Sequence, residues 1–571
     1  MEKQYDVVIL GGGLAGLCLA RQLLLYTDKT VLVVDREPKL PIDVQKVGES
    51  NVQVQGHYLA RVLDLEEHLF HEQVMKYNLR FMWKTGDGKN FEDVSHSYIR
   101  HFSNIACYQL DRNKLEAHMI ELNRENDRFL LLEGISDLDI DLKTGGNHLV
   151  KFGQGGEGHE ITGNWVVDTS GRVRHLAGKM ESKVKSEIRH SSAFFWTEGT
   201  CNIEKLTSSS QDEYRKRPER AELGHLPFWL ATNHFCGEGY WFWVIPLHSR
   251  TSFGLVFDNN LIDVKDVNTE EKLLKWLFKE HPLFEHDLNV EKMIDFQVLH
   301  NYSANCERTI SPDKWAMSGF SGRFTDPLYS PGGDAIAIYN TLIVDSIKST
   351  DEELGKKINS YEAMMNTVYK SYVPSFHHSY NALGDQEAFS MKYVWELSIY
   401  FSYYVFPFIN DLYTDSHFLI RYLNRFAKLG AMNRSLLIFI SDYYEWKKVN
   451  LPKQAKPQFF EFKDVCTLKR AESTFYKVGL DSKAALEVLD EQFEHLQELA
   501  KFYIAHVTAV VTGEPDLAKS LDHVETIKLK EIHFDADEMK THWSGIATSG
   551  EEYPWTIDAE VFSRSFHKLP A

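Results

Sequence analysis

Cysteine is scarce in this 571-residue sequence, and its six copies form no pattern. Cys18, Cys107, Cys201, Cys236, Cys306 and Cys466 stand far apart with no C-x-x-C pair. That fits neither a disulfide framework nor a zinc site and points to a reducing, cytoplasmic setting. Long apolar runs are absent too, so no membrane span is expected. Ser398 to Ile409 is apolar but short and interrupted by Pro407, which suits a core helix end or a pocket wall. Basic residues are the minority, 63 against 82 acidic for a formal charge of -19, which argues against a nucleic-acid surface and for solubility. Five residues precede the first strand-like segment, so no signal peptide is expected. The sequence holds no H-E-x-x-H, nucleophile elbow or P-loop, and His377-His378 is a pair without further ligands; no metal is expected. The remaining composition, 43% hydrophobic and 25% charged, is that of a globular chain of two or three units.

Near the N-terminus, Asp6 to Leu10 reads as a buried parallel strand, Gly11 to Gly16 as a tight turn, Leu17 to Leu25 as a helix and Thr30 to Val34 as a second strand. Gly11, Gly13 and Gly16 spell G-x-G-x-x-G directly after a strand and opening a helix, the context required for dinucleotide binding. Glycines there let backbone approach a pyrophosphate at the positive end of the helix dipole. Asp35 lies 19 positions beyond Gly16, where a carboxylate can accept from a ribose. A second glycine string, Gly153, Gly155, Gly156 and Gly158, is flanked by strand-like segments on both sides and reads as a hairpin turn.

Trp241-Phe242-Trp243-Val244-Ile245-Pro246 is the most distinctive string. Alternation places Trp241, Trp243 and Ile245 on one face of an extended segment, and Phe242 and Val244 on the other. Alternating patterns recur from about 180 to 310, as a second antiparallel sheet would require. After Ala337 the texture turns helical and aromatic, with a long amphipathic run from Lys483 to Val511 and a linker-like stretch from Pro452 to Lys463.

The W-x-W-x-I-P string resembles the signature of the flavin-dependent halogenases, where this segment keeps substrate apart from the flavin. Val166 to Arg172, containing Asp168, resembles the strand and turn that return to the cofactor sheet in large FAD enzymes. Lys46-Val47-Gly48-Glu49-Ser50 resembles the family's flavin-contacting loop, and Arg112 the arginine near the cofactor. Phe70 to Trp83 resembles the segment carrying the active-site lysine. That implies Lys76 as the group that guides hypohalous acid to substrate, although a lone lysine is as a rule a solvated charge. Asp326 to Asp334, including Pro327, resembles the loop packing on the flavin, and implies a halide site at Ser330, Gly332 and Gly333.

The resemblance implies an α/β FAD-binding module of the p-hydroxybenzoate-hydroxylase type with an antiparallel substrate sheet over residues 1–345, and a mainly helical C-terminal domain over 346–571. It implies FAD and chloride or bromide as cofactors, with Trp241, Trp243 and Lys76 as the catalytic set. No second dinucleotide fingerprint is present, so a separate flavin reductase is expected to supply reduced FAD. Several positions depart from the family. Gly319-Phe320 replaces a Gly-Asp pair that grips the ribityl chain. Pro331 has no N–H to offer a halide. Tyr329 stands where tryptophan-directed members carry a catalytic glutamate, which directs the expectation to phenolic, polyketide or carrier-bound acyl substrates and to the chloramphenicol-type branch. Some of that branch bind FAD covalently through an aspartate, for which Asp295 is the candidate. A flavin monooxygenase without halide use is the alternative.

Overall fold

Val7, Val8, Ile9 and Leu10 lose all contact with solvent because their strand, Gln4–Leu10, has parallel neighbours on both sides, Val31–Val34 and Glu157–Asp168. Strands covered on both faces read as continuous apolar runs. The structure, a computed structural model, describes residues 3–210, 213, 227–514, 524, 527–545 and 555–567. Across the first sheet the order is Phe129–Leu132, Val31–Val34, Gln4–Leu10, Glu157–Asp168, His148–Gln154 and Ser136–Asp141, with Trp315–Met317 added beside the end of Glu157–Asp168. The helix after the glycine turn begins at Leu14, three residues before the expected start, with Gly13 at its N-cap. Gly155 and Gly156 have φ of +60° and +86° and join two antiparallel strands; the second glycine string is a hairpin turn, not a phosphate cradle.

The second sheet runs Ile294–Leu299, His190–Glu198, Arg250–Asp258, Tyr240–Pro246, Thr232–Gly237, Leu79–Lys84, Val94–Tyr98 and Phe459–Glu461. It is mixed, not purely antiparallel: Thr232–Gly237 pairs in parallel with Leu79–Lys84, and Phe459–Glu461 with Val94–Tyr98. The latter strand comes from the stretch read as a linker. Trp241, Trp243 and Ile245 pack into one core cluster, and Phe242 and Val244 into the other on the opposite face. Gly254 lies opposite Trp243, and a Cβ there would stand 2.2 Å from the indole ring; the missing side chain makes room for the ring.

Long helices follow: Pro331–Lys348, Asp351–Val373, Gln386–Tyr400, Ser416–Asn450 and Ser482–Thr512. Their apolar faces share one cluster with the helix of the glycine turn, and the division placed between 345 and 346 falls inside the first of them. The Ser398 to Ile409 segment is almost wholly buried. There the helix passes through a π turn at Phe401–Val405 ahead of Pro407, which accommodates a residue that cannot donate to the regular ladder. Among the described residues no helix is long and apolar enough to cross a membrane.

Candidate active site

Two cavities adjoin between the sheets and the helices. The first, of about 320 Å³, is lined by Gly13, Gly48, Glu49, Ser50, Arg112, Trp241, Trp243, Pro327, Ser330, Gly332 and Gly333 among others. The second, of about 350 Å³, is lined by Lys76 with residues of the 99–107 loop and of the helix Gln386–Tyr400. Most of the residues singled out in the sequence thus converge, but on two chambers. Tyr372 borders both, and the segments 50–53 and 329–331 contribute to each. The two indoles form a side of the first chamber and do not border the second. Residues of those two segments, with Tyr372, stand where the chambers meet.

The glycines divide their labour. Gly11 adopts φ +111°, and a Cβ on it would strike the Thr169 carbonyl oxygen at 2.7 Å; a Cβ on Gly16 would strike the Gly11 oxygen at 2.1 Å. Both therefore shape the turn, while a Cβ on Gly13 would meet nothing and the backbone there is open to the chamber. Asp35 accepts from Gly12 N at 2.7 Å and Glu37 N at 2.9 Å, bracing the turn from the strand end. The Arg112 helix is capped by Asp111, which sets Arg112 at its first position, facing the chamber.

Four expected cofactor contacts are otherwise engaged. Lys46 does not line the chamber but pairs with Glu116 at 2.6 Å, the carboxylate that also holds Arg112. Asp168 is fully buried and accepts from Ser170 N at 2.9 Å, Ser170 Oγ at 2.6 Å and Leu176 N at 2.8 Å, so it holds its own turn. Asp326 accepts from Tyr302 Oη at 2.8 Å and Leu328 N at 2.8 Å, with His190 Nδ1 at 2.6 Å. Asp295 lies off the chamber, with Gln297 donating to it at 2.9 Å. Partners on their own turns and on segments far along the chain claim these side chains. The buried Asp326 group nonetheless reaches the chamber through Tyr302, which lines it, and through Tyr380, which stacks on His190 and accepts from the lining Trp241 Nε1 at 2.8 Å; its members His190, Tyr302 and Tyr380 carry no local signal in the sequence.

Glu49 is the chamber's buried carboxyl. Burial raises it to about 7, against hydrogen bonds from Ser252, Trp196 and Gln45. Tyr329 and Ser330 both have left-handed backbone, φ +68° and +60°, costly for non-glycine residues, and the strained pair delivers the helix Pro331–Lys348 with its N-terminus on the chamber. The first N–H groups of a helix have no partner within it. Pro331 removes one, so Gly332 and Gly333 carry the donors left for an anion.

Lys76 contradicts the usual fate of a lone lysine. It is 6% exposed, donates to Ser50 Oγ at 3.0 Å and to the Asn51 carbonyl, and burial lowers its ammonium to about 8. Burial also raises Asp334, close enough to act on Lys76 electrostatically, to about 7.

The first chamber fits a flavin dinucleotide in its donor set. Gly13 is open at the start of a 13-residue helix, Arg112 supplies a cation, and Ser192, whose buried Oγ has no partner, lines the wall. One point differs: Phe320, stacked on Phe324 with centroids 4.4 Å apart, places an aromatic face where a ribityl-binding aspartate is expected.

A model of the family described as tryptophan halogenase matches residues 6–129. The chain is 24% identical over 491 residues to the flavin-dependent halogenase chlA of Dictyostelium discoideum, covering 79% of this chain and 78% of that one. It is 22% identical to a 1H-pyrrole-2-carbonyl-[peptidyl-carrier protein] chlorinase of Pseudomonas fluorescens, covering 65% of this chain and 82% of the relative. Its fold is similar to the crystal structure of halogenase PltM, with a TM-score of 0.60 at 15% identity, covering 86% of this chain and 97% of that one. The glycine turn, the paired chambers and the buried lysine thus stand in a chain similar to flavin-dependent halogenases in sequence and fold over most of its length.

Proposed function

We propose that the protein is an FAD-dependent halogenase that uses reduced FAD, dioxygen and chloride or bromide to halogenate a phenolic or polyketide substrate, or an acyl group held on a carrier protein. The observation that carries this reading is Lys76, a buried ammonium that borders its own chamber and is tied through Ser50 to the next. Reduced FAD, when bound, supplies with dioxygen the oxidising equivalent that converts halide to an electrophile. The protein's own residues would do the rest. Gly13 and Arg112 would hold the dinucleotide, and the N–H groups of Gly332 and Gly333 the halide. Trp241 and Trp243 would exclude bulk water from the first chamber. Lys76 would donate a hydrogen bond to hypohalous acid and present its halogen to the ring or acyl carbon in the second chamber, since one oriented donor converts an unselective oxidant into a directed one. Reduced FAD would come from a separate flavin reductase. Tyr329 in place of a carboxylate favours a phenol over free tryptophan.

Incubation with FAD, a flavin reductase, NADH and bromide, followed by mass spectrometry of phenolic probes, tests this; brominated product is expected. Oxygen insertion with no halogen under any halide would replace it with the second reading, a flavin monooxygenase of the same fold, which Pro331 and Phe320 favour.

A further inference from the structure

The second chamber is closed by a helix far along the chain whose polar groups the proposed halogenation does not use. In Gln386–Tyr400, Lys392 and Glu396 stand one turn apart on the same face. Lys392 Nζ, fully buried, donates to Glu396 Oε1 at 2.6 Å and to Ser375 Oγ at 2.5 Å. One carboxylate oxygen is thereby pinned, and the other, Oε2, is buried without a hydrogen-bond partner. The Tyr329 hydroxyl, buried and likewise without a formed hydrogen bond, faces the same carboxyl, and burial, then the Glu396 charge and side chain, push its phenol up. Both residues line the chamber that Lys76 borders, where Tyr77, Phe102, Tyr372, Tyr393, Tyr400 and Phe401 also stand.

Buried polar groups are almost always paired, so two unpaired ones on the wall of one cavity point to a ligand that completes them. The acceptor is a carboxylate oxygen and requires a donor. The tyrosine hydroxyl can donate in turn. A hydroxyl is the group that serves both at once, and an aromatic-walled slot favours one carried on a flat ring. An aryl ether or an acyl thioester accepts but cannot donate.

We propose that Glu396 and Tyr329 together form the recognition site for a phenolic hydroxyl, with Glu396 accepting its hydrogen bond and Tyr329 donating to its oxygen, so that the ring lies beside Lys76. This rests on the halogenase reading and names the substrate class within it. The hydrogen bond to a carboxylate would push electron density into the ring at the positions ortho and para to the hydroxyl, where an electrophilic halogen adds. The C-terminal helices then supply the substrate-orienting half of the site.

The test is binding, measured without reductase, oxidant or halide, so that a failure to halogenate cannot be confused with a failure of this assignment. The full-length FAD-loaded protein is titrated calorimetrically with 3,5-dihydroxytoluene and with 3,5-dimethoxytoluene. The diol is expected to bind at least about tenfold more tightly, the order of magnitude for one hydrogen bond to a charged group. Glu396→Gln and Tyr329→Phe should each cut that preference to roughly threefold or less, with flavin absorbance unchanged. Equal binding of diol and diether to the unaltered protein would overturn the proposal, as would an intact preference in both variants. Should Glu396→Gln unfold because Lys392 is left short of charge, Tyr329→Phe, which removes a single hydroxyl, decides alone.

Discussion

Lys76 Nζ lies 3.0 Å from Ser50 Oγ, and that contact crosses from one chamber to the other, since Ser50 borders the first and Lys76 the second. The position is held against stability. Burial lowers the folded-state value to about 8 from 10.5, so the unfolded chain holds the proton more tightly. The cost is complete below about pH 8 and fades as the pH rises toward 10.5.

Lys76→Met should therefore separate function from folding. Halogenated product is expected to fall by at least about a hundredfold. Relief of the buried charge, on the order of 2–4 kcal/mol, offsets the loss of the bonds to Ser50 and the Asn51 carbonyl. A thermal melt should show a midpoint no lower than that of the unaltered protein, with flavin binding retained. A clear drop in midpoint would make Lys76 a structural residue.

The same lysine sets a pH dependence. Its ammonium is the donor, so the fraction of reducing equivalents recovered as halogenated product should decline as pH rises through about 8. Lys76→Arg, whose guanidinium stays charged, should flatten that decline even if its rate is lower. The check is the ratio of product to NADH consumed across the range.

At the halide position, Pro331→Ala restores an N–H at the first position of the helix Pro331–Lys348 without disturbing its favourable charge for anions. The expected result is a chloride KM lowered several-fold, on the order of one added hydrogen bond, with little change at saturating halide. Steady-state rates against chloride concentration decide it; an unchanged KM would place the halide elsewhere.

Gly254→Val addresses the aromatic wall. With the Cβ position 2.2 Å from the Trp243 ring, the indole must leave its place or the strands must part. Overpacking of this kind costs about 1–3 kcal/mol. Denaturant unfolding should show that loss, and displacement of Trp243 from Ser252, to which it donates at 2.9 Å, should shift its fluorescence.

What the sequence made legible was what depends on neighbours along the chain. The strand, turn and helix at Gly11 to Gly16 follow from local glycine spacing, and the face shared by Trp241, Trp243 and Ile245 from a period of two. Orientation over longer distances was not legible. Asp168 and Asp326 lie next to residues that line the first chamber, Thr169 and Pro327, yet donors from their own loops and from His190 and Tyr302 claim the carboxylates. Phe459–Glu461 was hidden because prolines and charges beside it read as a linker, while the open edge of Val94–Tyr98 recruits it. Glu396 reaches the chamber of Lys76 only through packing of the helical region, which no local pattern encodes.

That helical region has an electrostatic knot of its own at Glu387. Its Oε2 accepts from Lys447 at 2.6 Å and Tyr443 at 3.2 Å, and its Oε1 lies 2.7 Å from His506 Nε2 and 2.8 Å from His567 Nε2. Two histidines and a glutamate could suggest a metal. Ligand atoms at about 2.0–2.1 Å around tetrahedral zinc, however, stand roughly 3.3 Å apart, and the shorter separations here are those of hydrogen bonds. Burial opposes the Glu387 charge, but Lys447 and the two histidines hold its carboxyl well below the usual range. Its contribution is therefore present above about pH 4.5 and lost as pH falls through the depressed value. Burial lowers His506 as well, so the unfolded state takes up its proton first and stability already declines below about pH 6.5. Glu387→Ala strands the Lys447 charge and should cost about 3–5 kcal/mol, seen as a lower melting midpoint at neutral pH and a shallower fall on acidification. A chelator should leave the melt of the unaltered protein where it is; a midpoint lowered by chelation would turn the knot into a metal site.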